Sequence, residues 1–106
     1  MGNPERGEVW LTDLGYAAKV RPVLVVSVRI ADQDYALVQV VPHTTQPRGA
    51  RFEVSLSVRF LEAGVFNIQG MVAVPSARFL RRLGTLPPEQ MAEVEARIRQ
   101  WLGLAD

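Results

Sequence analysis

Two short stretches of the chain carry side chains that could do chemistry on a phosphate. Arg21 stands directly before Pro22 at the head of the apolar run Val23-Leu24-Val25-Val26. The proline fixes its own backbone and holds Arg21 extended, so the guanidinium is aimed. The second stretch, Pro42-His43-Thr44-Thr45-Gln46-Pro47, is uncharged, rich in hydroxyl and amide groups and bracketed by prolines. It reads as a rigid loop on which a site can be placed. If the two stretches converge, Arg21 and Thr44 flank a pocket with one guanidinium and one hydroxyl, enough to hold a phosphate by charge-assisted hydrogen bonds. The same residues also fit a surface charge at Arg21 and a turn-closing hydroxyl at Thr44.

His43 is the single histidine, and imidazole is the side chain whose reference pKa suits proton transfer near neutrality. Neighbours on an extended segment point to opposite sides, so only one of His43 and Thr44 can face a substrate. A catalytic base and a surface or turn residue are both open readings for His43. Gln69 is either a hydrogen-bonding partner for a base edge or an amide at a strand end.

Composition narrows the chemistry further. With no cysteine and one histidine, thiol nucleophiles, disulfide frameworks and clusters of imidazole ligands are excluded, and no metal or other cofactor is expected. The net charge of +1 hides an uneven distribution: residues 1–83 have a balance of +3 and residues 84–106 one of −2. Eleven of the twelve basic residues are arginine, with Lys19 the exception. A planar fork suits phosphate contacts and base stacking, although GC-rich coding produces the same bias. No apolar run reaches membrane-spanning length, the N-terminus has no signal-peptide core, and Arg6 stands where a myristoylation signal needs Ser or Thr. The expectation is a cytoplasmic protein with no membrane partner. At 106 residues, without linkers or repeats, the chain should form one domain over 1–106.

The elements that must position these residues are mostly strands. Val9 and Leu11 alternate with Glu8, Trp10 and Thr12 up to a turn at Asp13 to Gly15, a half-buried first strand. Val23 to Val26 suits a central strand covered on both faces. Tyr35 to Val41 follows, with Pro42 expected to close it. Phe52, Val54, Leu56, Val58 and Phe60 alternate with polar residues in the clearest period-two segment of the chain. Val65 to Gln69 and Met71 to Val74 add two short strands, with a bend at Gly70. Ser76 is placed as the cap of a short helical turn through Leu83, ended by Gly84. Pro87-Pro88-Glu89 opens a helix whose Met91, Val94, Ile98, Trp101 and Leu102 form one apolar stripe. Six short strands and a terminal helix point to a small, strongly bent β-barrel capped by that helix, with exposed strand edges to be covered by closure or dimerisation.

Arg6-Gly7-Glu8-Val9-Trp10-Leu11-Thr12-Asp13-Leu14, Arg21-Pro22-Val23-Leu24-Val25-Val26-Ser27 and Val41-Pro42-His43-Thr44-Thr45 resemble the opening half of the MazF/PemK family of bacterial toxins. Arg82-Leu83-Gly84-Thr85-Leu86 and the helix from Pro88 to Leu102 resemble its closing half. The resemblance covers nearly the whole chain. It implies an SH3-like barrel, a homodimer, and a metal-independent, sequence-specific endoribonuclease that cleaves single-stranded RNA and is held in check by a cognate antitoxin with a disordered C-terminal segment. The family's Arg-Pro arginine falls on Arg21 and the threonine of its Pro-x-Thr loop on Thr44. Arg21 would then supply positive charge, and Thr44 would position the phosphate for attack by the neighbouring 2′-hydroxyl, a nucleophile that DNA lacks. Lys19, Thr45, Gln46, Arg48, Arg51 and Gln69 are the expected RNA contacts. Many members of the family have an Asp-Gln pair followed by a basic residue entering the last strand, where this chain has Ile68-Gln69-Gly70-Met71-Val72.

Met71-Val72-Ala73-Val74-Pro75 and the helix end Trp101-Leu102-Gly103-Leu104 are also similar to the CcdB family of gyrase-poisoning toxins, which implies the same barrel without hydrolysis. The Arg21-Pro22 and Pro42-x-Thr44 elements are absent from that family. A catalytically silent RNA-binding barrel is the third reading.

Overall fold

The computed structural model describes residues 3–15 and 19–104. Seven antiparallel strands and one helix run in the order β1 (Glu8–Asp13), β2 (Val20–Val25), β3 (Leu37–Thr44), β4 (Glu53–Val54), β5 (Val65–Asn67), β6 (Val72–Pro75), β7 (Phe79–Thr85) and α1 (Pro88–Leu102). The sheet order is β4-β5-β3-β2-β1-β7, with β6 also on β3. Strand β3 organises this sheet. One edge pairs with β2, while the other is shared: Leu37 to Val40 face β6, and His43 and Thr44 face Phe66 and Val65 of β5. A one-turn 3-10 helix, Ile68–Gly70, carries the chain from one partner to the other.

The run of valines in β2 and β3 has apolar cover on both faces. Val9, Leu24, Val41, Phe66 and Ile68 join Leu86, Met91 and Val94 in one core beneath α1. Trp10, Val23, Val25, Val38, Val40, Val74 and Phe79 form the other. Because strand side chains alternate, neighbouring residues of one strand feed different cores. Burying a ring such as that of Phe66, which is fully enclosed, contributes roughly 1.5–3 kcal/mol. The result is a mainly β fold with one C-terminal helix. The described residues of β4 and β7 do not pair with each other, so the sheet is open at that seam. Helix α1 starts at Pro88 and ends on Gly103, whose left-handed backbone (φ +70°) caps it. No helix among the described residues is long and apolar enough to cross a membrane.

Several local expectations are corrected. Pro42 does not close β3, which runs on to Thr44. The proline lies where the partner changes from β6 to β5, a break in the ladder that tolerates a missing N–H. Of Phe52 to Phe60, only Glu53 and Val54 are paired. Phe52 and Val54 are buried and Leu56 and Val58 partly so. The period-two pattern thus marks which side faces the core, while pairing also needs an available neighbour. Beyond Val54 the backbone meets the helix instead, and Gln90 Nε2 donates to the Ser57 carbonyl at 2.9 Å.

The expected strand Val65 to Gln69 ends at Asn67, because the 3-10 turn begins there. The expected helical turn from Ser76 stops at Arg78, and Phe79 to Thr85 form a seventh strand along β1. Gly84 is therefore a strand residue, not a helix stop. Its missing side chain makes room for Phe60, whose ring would lie 2.4 Å from a Cβ built there. Trp101 remains 41% exposed and rests on the Phe52 ring at 5.3 Å, so the helical stripe leaves the core at its C-terminal end.

Candidate active site

Arg21 enters from β2 opposite Thr12 of β1, and Thr44 ends β3 opposite Val65. The strand geometry brings both to one place, since Arg21 and Thr44 line the same two clefts and form the wall between them. Each cleft is a little over 500 Å³. Thr44 Oγ1 accepts a hydrogen bond from the Gln46 N–H at 3.1 Å. That contact fixes the hydroxyl oxygen and leaves its proton to be donated elsewhere. Arg21 is half-buried, and it borders a third, more apolar cleft beside β6 that Pro42 and Arg78 also line.

His43 follows the strand alternation inward. It is 4% exposed, and its ring meets Phe66 edge-on at 5.0 Å. The surface-or-turn reading of His43 is thus corrected: strand pairing with β5 turns the imidazole toward the core, where it forms the inner wall of one cleft. Burial holds its pKa below the ordinary value, against an opposing pull from the Glu62 carboxylate. Gly64 presses on the same corner. A Cβ there would lie 2.1 Å from the Thr44 carbonyl oxygen and 2.8 Å from His43 Cε1.

The first cleft has an apolar floor with cationic edges. Phe60 and Leu61 lie in it with Lys19, Arg81 and Glu62, and Thr45 and Gln46 complete its rim. Lys19 reaches it from a left-handed backbone (φ +56°) at the turn into β2. The second cleft is polar: Arg48, Glu53, Asn67 and Gln69 line it, together with Gln46. Its outer turn hangs on one carboxylate, because Glu53 accepts from the backbone N–H groups of Arg48, Gly49 and Ala50 at 2.9–3.2 Å. Those donors, that of Arg48 foremost, hold the Glu53 carboxyl below its usual pKa.

Of the residues expected to contact RNA, Lys19, Thr45 and Gln46 line the first cleft, and Gln46, Arg48 and Gln69 the second. Arg51 lies apart: its guanidinium covers the Phe52 ring at 4.4 Å, and its carbonyl accepts from Arg97 Nη1 of α1. Phe60, Glu62, Gly64, Arg81, Asn67 and Glu53 had not been singled out for the site. For Phe60 there was a signal, since it ends the period-two segment. Among the described residues no group of three or more His, Asp or Glu is placed to hold a metal ion.

Residues 5–102 match the family described as PemK-like, MazF-like toxin of type II toxin-antitoxin system. Among solved structures, an endoribonuclease from a Mycobacterial species in complex with its cognate antitoxin is 26% identical with a TM-score of 0.82, over 100% of this chain and 99% of that one. A MazE-MazF structure from Deinococcus radiodurans is 27% identical with a TM-score of 0.80, over 99% and 100%. The Mycobacterium tuberculosis toxin MazF-mt6 is 25% identical with a TM-score of 0.79, over 93% and 99%.

Proposed function

The chain belongs to the PemK-like, MazF-like family of toxins of type II toxin-antitoxin systems, and on that premise we propose that it is a metal-independent endoribonuclease cutting single-stranded RNA at particular sequences. One observation carries the reading: Arg21 and Thr44 form the shared wall of two clefts, each large enough for a nucleotide. A phosphate on that wall has a chain leaving on either side. The 2′-oxygen of the nucleotide before the scissile phosphate attacks phosphorus and loses its proton. The bond to the 5′-oxygen breaks, and that oxygen gains a proton. The products are a 2′,3′-cyclic phosphate and a 5′-hydroxyl.

Arg21 supplies fixed positive charge to the non-bridging oxygens as charge builds there, which is where preorganised donors act most strongly. Thr44 donates its hydroxyl proton to the same phosphate and sets its position. Charge and hydrogen bonds that a metal ion would otherwise bring thus come from side chains. His43, next to Thr44 on β3, is packed on Phe66. Without the acidic and basic groups that many members of the family carry in the last strands, the charge on the shared wall is that of Arg21, with Gln69 present on the rim of the polar cleft.

The partners follow from the same surfaces. An antitoxin partner is supported by the antitoxin complexes among the structural relatives, and its acidic segment would lie across Arg48 and the polar cleft, in competition with RNA. A second copy of the chain would cover β6, which among the described residues pairs only on its β3 side and exposes Val72, Ala73 and Pro75. The place of action is the cytoplasm, where RNA is available. Incubating the pure protein with a long RNA in EDTA, and mapping ends by primer extension, should reveal cuts bearing 5′-hydroxyls. A requirement for magnesium, or no cleavage of diverse RNAs, would overturn the proposal.

A further inference from the structure

The two clefts that share Arg21 and Thr44 differ in what they offer a base. In the first, Phe60 is 38% exposed, and its ring is held from behind by the Gly84 backbone so closely that a Cβ would come within 2.4 Å. An aromatic ring kept at a cleft floor between cations is a stacking platform, and stacking accepts every base because each has a π-face. Lys19 and Arg81 at the edges suit the flanking phosphates. In the second cleft the wall holds two amides, Asn67 and Gln69. Asn67 is wedged against Gly70, where a Cβ would lie 2.9 Å from its Nδ2. Neither amide makes a side-chain hydrogen bond to another described residue. The Glu53 carboxylate beside them is already occupied by three backbone donors. An amide presents a donor and an acceptor side by side, the pattern that distinguishes one unpaired base edge from another.

We infer that sequence recognition is divided at the Arg21–Thr44 wall: Phe60 stacks one base flanking the scissile phosphate without reading its identity, and Asn67 and Gln69 read the base on the other flank. This rests on the RNA-cleaving reading above. One flank of every cut is therefore restricted to one or two bases and the other is permissive. Loss of the platform weakens all substrates alike, and loss of the amides relaxes one position.

Digestion of a randomised RNA pool, with sequencing of the new ends, tests this for the wild type, Phe60→Leu and Asn67→Ala/Gln69→Ala, all checked for an unchanged thermal midpoint. Phe60→Leu should raise KM on the order of tenfold for every base, the size of a lost stacking contact, with the same base preferences. With an RNA that lacks the base on that flank, the wild type and Phe60→Leu should share one KM, which a purely space-filling role for the ring would not produce. The double amide variant should lose preference at one flank only. An unchanged KM in Phe60→Leu, altered base preference in that variant, or intact preference in the amide variant would overturn the division. So would a Phe60→Leu protein that binds antitoxin weakly but cleaves normally, because the ring would then serve that partner. Cleavage by the wild type with unaffected variants removes this inference alone, whereas no cleavage by the wild type removes the functional reading with it.

Discussion

On either side of Arg21 the molecule holds its surfaces by different means. Toward β5 the wall is packing: His43 against Phe66, Gly64 against the Thr44 backbone, Phe60 against Gly84. Toward the 48–50 turn it is a single exposed carboxylate gathering three N–H groups. Packed walls resist salt and tolerate no added volume. A wall hung on one exposed carboxylate tolerates volume but depends on that group staying ionised. The position of Thr44 should therefore be insensitive to conditions that loosen Arg48.

The comparison predicts its largest effect where the two sides meet. Arg21→Ala should reduce kcat on the order of 100-fold or more, as removal of a preorganised transition-state donor does, in a protein of unchanged circular dichroism. Thr44→Val, which keeps the shape, should cost less. An active Arg21→Ala protein alongside a dead, well-folded His43 variant would move the chemistry off the shared wall.

On the packed side, Gly64→Ala should lower unfolding free energy by about 1–3 kcal/mol or more, the range for overpacked sites. Activity should fall with it, because the intruding Cβ meets the backbone of Thr44 itself. Denaturant titration checks this, and a variant as stable as the wild type would show that the corner has slack. On the carboxylate side, Arg48→Glu should weaken RNA binding and flatten its salt dependence without changing stability. Arg51→Glu should spare RNA binding and instead disturb the contacts of Arg51 with Phe52 and α1. Equal effects of the two on RNA binding would extend the basic surface around to the helix.

The smallest effect is a pH dependence. Burial lowers the pKa of His43 from 6.5, so below that pH the unfolded chain binds a proton that the folded protein resists. The contribution of His43 to stability is complete above about pH 6.5 and is lost as pH falls through the lowered folded value. His43→Gln should remove this step from a stability-against-pH curve measured between pH 7.5 and 5. A step that persists in the variant would place it on another group.

How legible these surfaces were in the sequence depended on what held them. The β2 and β3 valines announced strands covered on both faces, and Pro87, Pro88 and Glu89 announced the start of the helix, because local chemistry decides both. Pro42 misled because its tolerance depends on β5 and β6 exchanging places along β3, a long-range event. Phe79 to Thr85 misled for a similar reason: Arg81, Arg82 and Gly84 favour no strand locally, and pairing with β1 supplies the preference. Arg21 stood out by the proline that follows it, and Thr44 by the two prolines that bracket its loop. Phe60, Gly64 and Asn67 join the site only through folded contacts, and Gly64 in particular had no signal beyond its position before Val65.

The most direct measurement uses a short RNA containing a mapped cleavage site and its counterpart with a single 2′-deoxy nucleotide immediately before the scissile phosphate, both in EDTA. The account predicts that wild-type protein binds the two with similar affinity, cuts the all-ribose strand to a 2′,3′-cyclic phosphate, and leaves the substituted strand intact at that position. Cleavage of the 2′-deoxy strand at the same phosphate would contradict it.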